Sequence, residues 1–174
     1  MCAVVTSVLT PGNIVRPEIE PKHATSLTGN IFGLRVLHII ELNSYDDRNF
    51  HVRVSENSEN ENISKISPDG YVLKVLNSLD SEYENAIDAQ NALILHLHDK
   101  GISTPRPLMS IDHCTKSCQV FENGCKCIVR LFEYLPGRIL AGLQYTKDIT
   151  FDVGKLAGKL DKCCQVRMYR RVSG

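Results

Sequence analysis

The sequence contains no tryptophan, its aromatic residues make up only 6% of the chain, and its charges cancel, with 20 lysines and arginines against 20 aspartates and glutamates in 174 residues. Balanced charge provides no basic surface for holding nucleic-acid phosphates, so we expect no nucleic-acid partner. No apolar run approaches the roughly 20 residues that a membrane helix needs. The apolar amino terminus also lacks the preceding lysine or arginine of a secretory signal. We therefore expect a cytoplasmic protein without a membrane partner.

Seven cysteines make an odd number in a chain without an export signal, which favours free thiols over a disulfide framework. Four of them, Cys114, Cys118, Cys125 and Cys127, lie near His113 and offer donors for zinc. The spacing C-x3-C followed by C-x-C is uncommon in structural zinc sites, so we assign no metal ligand. A zinc-stabilised interaction module remains an alternative.

Proline, glycine and the spacing of apolar residues divide the chain into predicted elements. Residues 1–22 are predicted to be a disordered leader, followed by a short helix from His23 to Phe32 that ends at Gly33. The later predicted elements are a hairpin of strands 34–42 and 50–54 with a turn at 43–48, an exposed polar loop at 55–70, a strand at 71–76, a long helix that stops at Gly101, strands at 119–121 and 125–134, and a helix from Asp148 to about Cys163. This order predicts an α+β domain with an antiparallel sheet of about five strands and one long packed helix.

Residues 71–75, YVLKV, alternate their side chains across the predicted strand, which puts Val72 and Lys74 on one face. A lysine between apolar neighbours either extends along a sheet edge towards water or holds an anion in a cleft. On the following helix, the apolar stripe predicted to face the sheet consists of Tyr83, Ile87, Ile94 and Leu97. Gln90 interrupts this stripe, and Asp88 lies at its edge. Gln90 either hydrogen-bonds the sheet backbone or holds the lysine.

Five motifs occur in a fixed order along the chain. They are ELNSYDDRNFHV at 41–52, YVLKVLNS at 71–78, IDAQN at 87–91, VRLFEYLPGRILA at 129–141 and GKLAGKLDK at 154–162. Together, from about Ala24 to Lys162, they resemble the amino-terminal lobe of the aminoglycoside-phosphotransferase and protein-kinase-like superfamily, and most closely the hydroxylysine kinase family. The resemblance implies a kinase-like N-lobe at 23–135, a hinge and the first helix of a truncated C-lobe at 136–163, and a divergent tail at 164–174.

The resemblance implies roles for single residues along a nucleotide cleft. Lys74 would be the strand lysine that contacts the α and β phosphates, and Val72 would lie beneath the base. Kinases hold this lysine with a partner on the long helix, and here either Gln90 or Asp88 would take that role. Tyr134 would belong to the hinge that binds a purine base through its backbone.

The hairpin tip NSYDDRN would take the place of the kinase glycine-rich loop, although it contains no glycine. Ser44, Arg48 and Asn49 are candidates for cradling phosphate, with simple turn chemistry as the alternative. Asp46 and Asp47 would repel phosphate unless they cap the turn.

Kinases of this superfamily also need a catalytic-loop aspartate in an HGD-like segment and a metal-binding aspartate in a DFG-like segment, and neither segment occurs in the 174 residues. We therefore assign no catalytic residue and expect a truncated form without phosphoryl transfer. In the complete relative, the resemblance implies GTP, or ATP, with magnesium and 5-hydroxy-L-lysine as the acceptor. The alternative is a non-catalytic nucleotide-binding or regulatory fragment. Apolar surface left open by a missing lobe would favour self-association.

Overall fold

A computed structural model describes the backbone of residues 16–172 and the side chains of residues 16–165. Its five strands form one antiparallel sheet in the order β1-β2-β3-β5-β4. The elements are α1 (Pro21–Phe32), β1 (Leu34–Leu42), β2 (Arg48–Ser58), β3 (Tyr71–Val75), α2 (Glu84–Asp99), β4 (Ser117–Val120), β5 (Lys126–Glu133) and α3 (Lys147–Val172), with short 3-10 turns at Asp80–Glu82 and Leu140–Gly142. The predicted α+β class, the five-stranded antiparallel sheet and the long packed helix are confirmed.

The first helix ends where the sequence predicts, because Gly33 adopts the left-handed conformation with φ 62°. It begins at Pro21, and Ile19 just before it is buried in the core at 3% exposure. The prediction that residues 16–22 are disordered is therefore wrong. They are ordered because Ile19 is buried in the core and because the helix starts at Pro21. Residues 1–15 of that predicted leader lie outside the described residues.

The predicted exposed loop is shorter and less exposed than expected. Strand β2 continues to Ser58, so the loop starts there instead of at Ser55. Within the loop Asn60 is only 2% exposed, and its Nδ2 donates to the carbonyl oxygens of Phe32 at 3.2 Å and Met109 at 2.9 Å. Polar composition did not prevent burial, because an amide whose hydrogen bonds are satisfied can be buried at little cost.

One side of the sheet, here called the apolar face, packs against α1. Phe50, Leu73 and Leu131 are cross-strand partners on β2, β3 and β5, and each is fully buried. Ala24 and Phe32 from α1 pack into the same cluster. Each large apolar side chain buried there contributes about 1.5–3 kcal/mol, so this face holds most of the core.

The opposite side, here called the polar face, is covered by α2. Ile87 of this helix packs against Leu76 and Ile128 in a small apolar cluster. Tyr83, which the sequence placed on the inward stripe, instead precedes the helix and is 66% exposed. A 3-10 turn between β3 and α2 shifts the helix start to Glu84, so the predicted stripe begins one turn too early.

The last helix, α3, covers the predicted range from Asp148 to Cys163 and continues to Val172. One hydrogen bond ties it to α2, between His96 Nε2 and the carbonyl oxygen of Cys163 at 3.2 Å. Three of its apolar side chains, Phe151, Val153 and Leu156, are exposed. None of the helices in the described part of the chain has the length and apolar character needed to cross a bilayer.

Candidate functional site

Three polar residues lie side by side on the polar face of the sheet, one from each of β2, β3 and β5. Asn49 is the cross-strand partner of Lys74, and Lys74 is the cross-strand partner of Arg130. Directly opposed side chains on one face lie about 5 Å apart at Cβ. The two cations therefore lie next to each other, between the hairpin tip and α2.

Lys74 is held by the hairpin tip. Its Nζ lies 2.5 Å from Asp47 Oδ2, and its side chain is 28% exposed. The other carboxylate oxygen of Asp47 accepts from the backbone N–H of Asn77 at 2.8 Å and from its Nδ2 at 3.1 Å. Burial by itself would raise the pKa of Asp47, but the hydrogen bonds from Lys74 and Asn77 outweigh it and hold that pKa below its usual value. The aspartate is thus a fixed anion beside the lysine.

The long helix does not hold Lys74, which corrects the prediction for Gln90 and Asp88. Gln90 Oε1 accepts from Arg130 Nη2 at 3.3 Å, and Asp88 pairs with Lys116 at 2.7 Å. The reason is geometric: Arg130 lies closer to the inward face of α2, and Asp88 lies at the outer edge where Lys116 approaches. No feature of the linear sequence pairs Asp47 with Lys74, because the contact depends on how the hairpin folds over β3.

Arg130 is the residue that sequence reasoning missed. It is 4% exposed, its Nη1 donates to Asn91 Oδ1 at 3.0 Å, and its guanidinium lies 5.0 Å from the centre of the Phe132 ring. Burial lowers the pKa of the guanidinium, and Asp47 partly opposes this, yet an arginine stays charged at neutral pH. The signal in the sequence was a charged residue inside the apolar strand CIVRLF, the same pattern that singled out Lys74.

Two of the three hairpin-tip candidates, Ser44 and Arg48, are engaged in hydrogen bonds within the chain. Ser44 Oγ donates to the carbonyl oxygen of Asp47 at 2.6 Å, which is turn chemistry. Arg48 donates to Glu41 Oε1 and, through Nε, to the carbonyl oxygen of Pro17 at 3.1 Å. Arg48 is therefore directed away from Lys74.

Asn49 differs from the other two hairpin-tip candidates, because its Oδ1 is buried without a hydrogen-bond partner. Of the three, it is the residue that lies beside the lysine.

An aromatic platform lies at the other end of the polar face. The rings of His51 and Tyr134 stack with centroids 4.0 Å apart, and His51 is the cross-strand partner of Val72. The backbone N–H of Tyr134 donates to the Gly70 carbonyl at 3.1 Å. Val72 and Tyr134 therefore lie at the aromatic end of the polar face, next to the part that carries Lys74. The backbone N–H of Tyr134, which belongs to the hinge expected to bind a base, already has a hydrogen-bond partner.

A cleft of about 300 Å³ opens between the hairpin tip, the polar face of the sheet and α2. It is lined by Asp47, Lys74, Leu76, Asp80, Tyr83, Ala86, Ile87, Gln90 and Arg130. The positive charges of Lys74 and Arg130 share this cleft with the carboxylates of two aspartates. Both aspartates, Asp47 and Asp80, accept a hydrogen bond from Asn77 Nδ2. An incoming anion would meet both cations in this cleft.

Metal donors are not assembled in residues 16–165, where no three histidine, cysteine, aspartate or glutamate side chains are grouped to hold a metal ion. The magnesium implied by the resemblance finds no built site among them, and neither does the zinc considered for the cysteine cluster. The six cysteines of the described chain are free thiols. Burial, with Cys125 and Cys118 nearby, raises the pKa of Cys127 to about 11, which makes it a poor nucleophile.

Comparison with curated proteins shows similarity to hydroxylysine kinases. The chain is 33% identical over 150 residues to the Xenopus laevis protein, covering 84% of this chain and 38% of that one. It is 31% identical to the Bos taurus protein, covering 86% and 39%, and 33% identical to the Danio rerio protein, covering 84% and 39%. The chain thus spans about two-fifths of the length of these relatives, and the resemblance noted from its motifs is confirmed.

A structural comparison agrees on the fold. A solved complex of amicoumacin kinase hAmiN with AMP-PNP, Ca2+ and Ami matches with a TM-score of 0.50 at 17% identity, covering 69% of this chain and 32% of that one. At 17% identity the match supports a similar fold and nothing about function. No protein-family model matches the chain.

Proposed function

We propose that this chain, which is similar to hydroxylysine kinases over most of its length, forms the nucleotide-binding lobe of a small-molecule kinase. The observation that carries the proposal is the placement of Lys74. Its amine faces a cleft between the hairpin tip and α2 and is already paired with a carboxylate. An ammonium group on a flexible stem suits phosphate oxygens, so an anion that enters the cleft can replace or share the contact with Asp47.

In this proposal the phosphates lie at Lys74 and the base lies towards the aromatic platform. The row of cross-strand partners supports this direction, because His51 and Val72 lie next along β2 and β3 from Asn49 and Lys74. The ring of Tyr134 stacked on His51 offers a flat surface for a purine. GTP is the proposed nucleotide and ATP the competitor.

The proposed role of the longer relative is the phosphorylation of 5-hydroxy-L-lysine by GTP with magnesium. The 174 residues by themselves are proposed to bind nucleotide without transferring its phosphate. Phosphoryl transfer depends on an aspartate that positions the acceptor hydroxyl and on metal ions that neutralise the phosphates. A non-catalytic regulatory fragment that binds nucleotide is the second candidate, and it makes the same prediction for Lys74.

Two further features of the proposal concern the state of the chain in the cell. The exposed apolar side chains Phe151, Val153 and Leu156 of α3 favour self-association, which sedimentation at several concentrations would measure. A cytoplasmic location is proposed because the six described cysteines are free thiols.

The test compares nucleotide binding by the wild type, Lys74→Met and Lys65→Met. Lys65 is exposed, so its substitution removes the same charge outside the cleft. We expect Lys74→Met to weaken GTP binding by about tenfold or more in calorimetric titration, since it removes a charge-assisted contact, and Lys65→Met to leave it unchanged. Equal affinity in all three proteins would contradict the proposal.

The same preparations, incubated with hydroxylysine and labelled GTP or ATP, test the proposed inactivity. Phosphorylated hydroxylysine formed by the wild type and lost in Lys74→Met would show that the chain is an enzyme in its own right. No product together with nucleotide binding would support the proposal that the 174 residues bind nucleotide without phosphoryl transfer.

A further inference from the structure

A second cation, Arg130, lies beside Lys74 without a carboxylate of its own. Like charges placed directly opposite each other on neighbouring strands destabilise a sheet unless something compensates them. Lys74 has Asp47 at 2.5 Å, but no carboxylate in the described part of the chain comes within 4.0 Å of the Arg130 guanidinium. One positive charge of the pair is therefore left without an ion-pair partner.

The hydrogen bonds of Arg130 also fall short of what its burial requires. Its two contacts, Asn91 Oδ1 at 3.0 Å and Gln90 Oε1 at 3.3 Å, are neutral amides, and its Nε is buried with no partner. At 4% exposure the charge has lost its water. A buried guanidinium is normally compensated by a carboxylate or a phosphate, because the desolvation of an ion is costly.

We propose that Lys74 and Arg130 together form a two-cation site for an oxyanion of the phosphate type, with Asp47 holding Lys74 until that anion arrives. The proposal deepens the nucleotide function and rests on it, because Lys74 belongs to both and the phosphates of a nucleoside triphosphate supply the anion. Arg130 contributes a planar fork of donors that a lysine cannot offer.

The side chain at position 90 indicates whether Arg130 belongs to an anion site or only stabilises the fold. A glutamate there would give Arg130 an ion pair and tie α2 to the sheet more firmly, whereas the glutamine leaves the guanidinium charge available. Gln90, Arg130 and Lys74 all line the same cleft. Asp47 and Asp80 line the cleft too, but neither lies within 4.0 Å of the guanidinium, so an anion that enters the cleft could become the ion-pair partner that Arg130 lacks.

The decisive variant is Gln90→Glu, probed with inorganic tripolyphosphate in the 174-residue chain. A carboxylate about 3 Å from Arg130 would compete with the ligand. We expect the Kd for tripolyphosphate to rise about tenfold while the melting temperature stays the same or rises. Gln144→Glu adds the same charge on an exposed segment and should leave the Kd unchanged. Unchanged tripolyphosphate affinity in Gln90→Glu would overturn the proposal, because a structural arginine predicts that result.

Substitutions of Arg130 itself give a second measurement. Arg130→Lys keeps the charge and should retain part of the affinity for tripolyphosphate, whereas Arg130→Met should lose it. Arg106→Met is the matched control, because Arg106 is half-exposed and already pairs with Glu133 at 2.8 Å. Full affinity in a folded Arg130→Met protein would contradict the two-cation site. If that variant does not fold, the Gln90→Glu result decides.

Failure of the nucleotide function is distinguishable in the same titrations. Tripolyphosphate binding that Gln90→Glu weakens, with GTP and ATP binding no better than tripolyphosphate, would support the anion site and contradict the nucleotide proposal. GTP binding that depends on Lys74 but is unaffected in Gln90→Glu would support the nucleotide proposal and overturn the role of Arg130. No binding of any of these anions at millimolar concentration would overturn both.

Discussion

The two faces of the sheet use the same three strands for different purposes. On the apolar face, Phe50, Leu73 and Leu131 meet α1 in a fully buried cluster. One residue along each strand, on the polar face, the row reads Asn49, Lys74 and Arg130, and the buried apolar cluster that contains Ile87 of α2 has three members. Alternation of side chains along a strand allows this division, because each strand contributes every second residue to each face.

This contrast separates the residues that stabilise the fold from those proposed to bind an anion. The apolar face buries side chains that gain free energy from leaving water. The polar face instead carries two cations and an amide, Lys74, Arg130 and Asn49, which contribute little to the free energy of folding. Two of their buried polar atoms, Asn49 Oδ1 and Arg130 Nε, have no hydrogen-bond partner. Substitutions on the apolar face should therefore change stability, and substitutions of the cleft residues should mainly change binding.

The largest effect is expected on the apolar face. Leu73→Ala should lower the free energy of unfolding by about 2–5 kcal/mol, because it opens a cavity in a fully buried cluster. Denaturant unfolding followed by circular dichroism measures it. Leu37→Ala, on β1 and 61% exposed, is the control and should change stability by no more than about 0.5 kcal/mol. Equal losses in both variants would break the distinction between the faces.

A smaller effect is expected where the turn before α2 joins β5. Ser81 is 1% exposed, and its Oγ donates to the Asn77 carbonyl at 2.7 Å and accepts from the Ile128 backbone N–H at 2.8 Å. Ser81→Ala should cost about 1–3 kcal/mol of unfolding free energy, because two buried backbone groups lose a partner. The same measurement on Ser26→Ala, an exposed helix serine, provides the control. An unchanged free energy of unfolding in Ser81→Ala would contradict the stabilising role of these two hydrogen bonds.

The smallest effect concerns acid stability at the cleft. Because the pKa of Asp47 is lower in the folded chain than its ordinary value, the ionised carboxylate stabilises the fold above about pH 4 and this contribution disappears as the pH falls through the lowered value. Asp47→Asn should therefore be less stable than wild type at neutral pH, by about 1 kcal/mol, and the gap should close in acid. Urea unfolding across a pH series measures it, with the exposed Asp46→Asn as control. A gap that persists in acid would contradict the ion pair with Lys74.

Much of the fold could be predicted from local patterns. Gly33 ended α1 because its left-handed conformation needs no side chain, and alternation in YVLKV placed Lys74 on the correct face of β3. Boundaries that depend on partners were missed: β2 ran beyond Ser55 because β1 pairs with it as far as Ser58, and Asn60 was buried because backbone carbonyls of two other segments meet its amide.

The site was harder to predict than the fold. The order of the elements, the α+β class, the lysine on β3 and the likeness to kinases could all be predicted before folding was considered, since they follow from periodicity and from motifs that are contiguous in the chain. Three contacts became visible in the folded molecule alone: Asp47 rather than the long helix holds Lys74, Gln90 accepts from Arg130, and Arg130 lies beside the lysine. The ion pair, the side-chain hydrogen bond and the cross-strand contact join residues that are 27, 40 and 56 positions apart in the chain, and their energies depend on distance and burial, which only the folded chain defines.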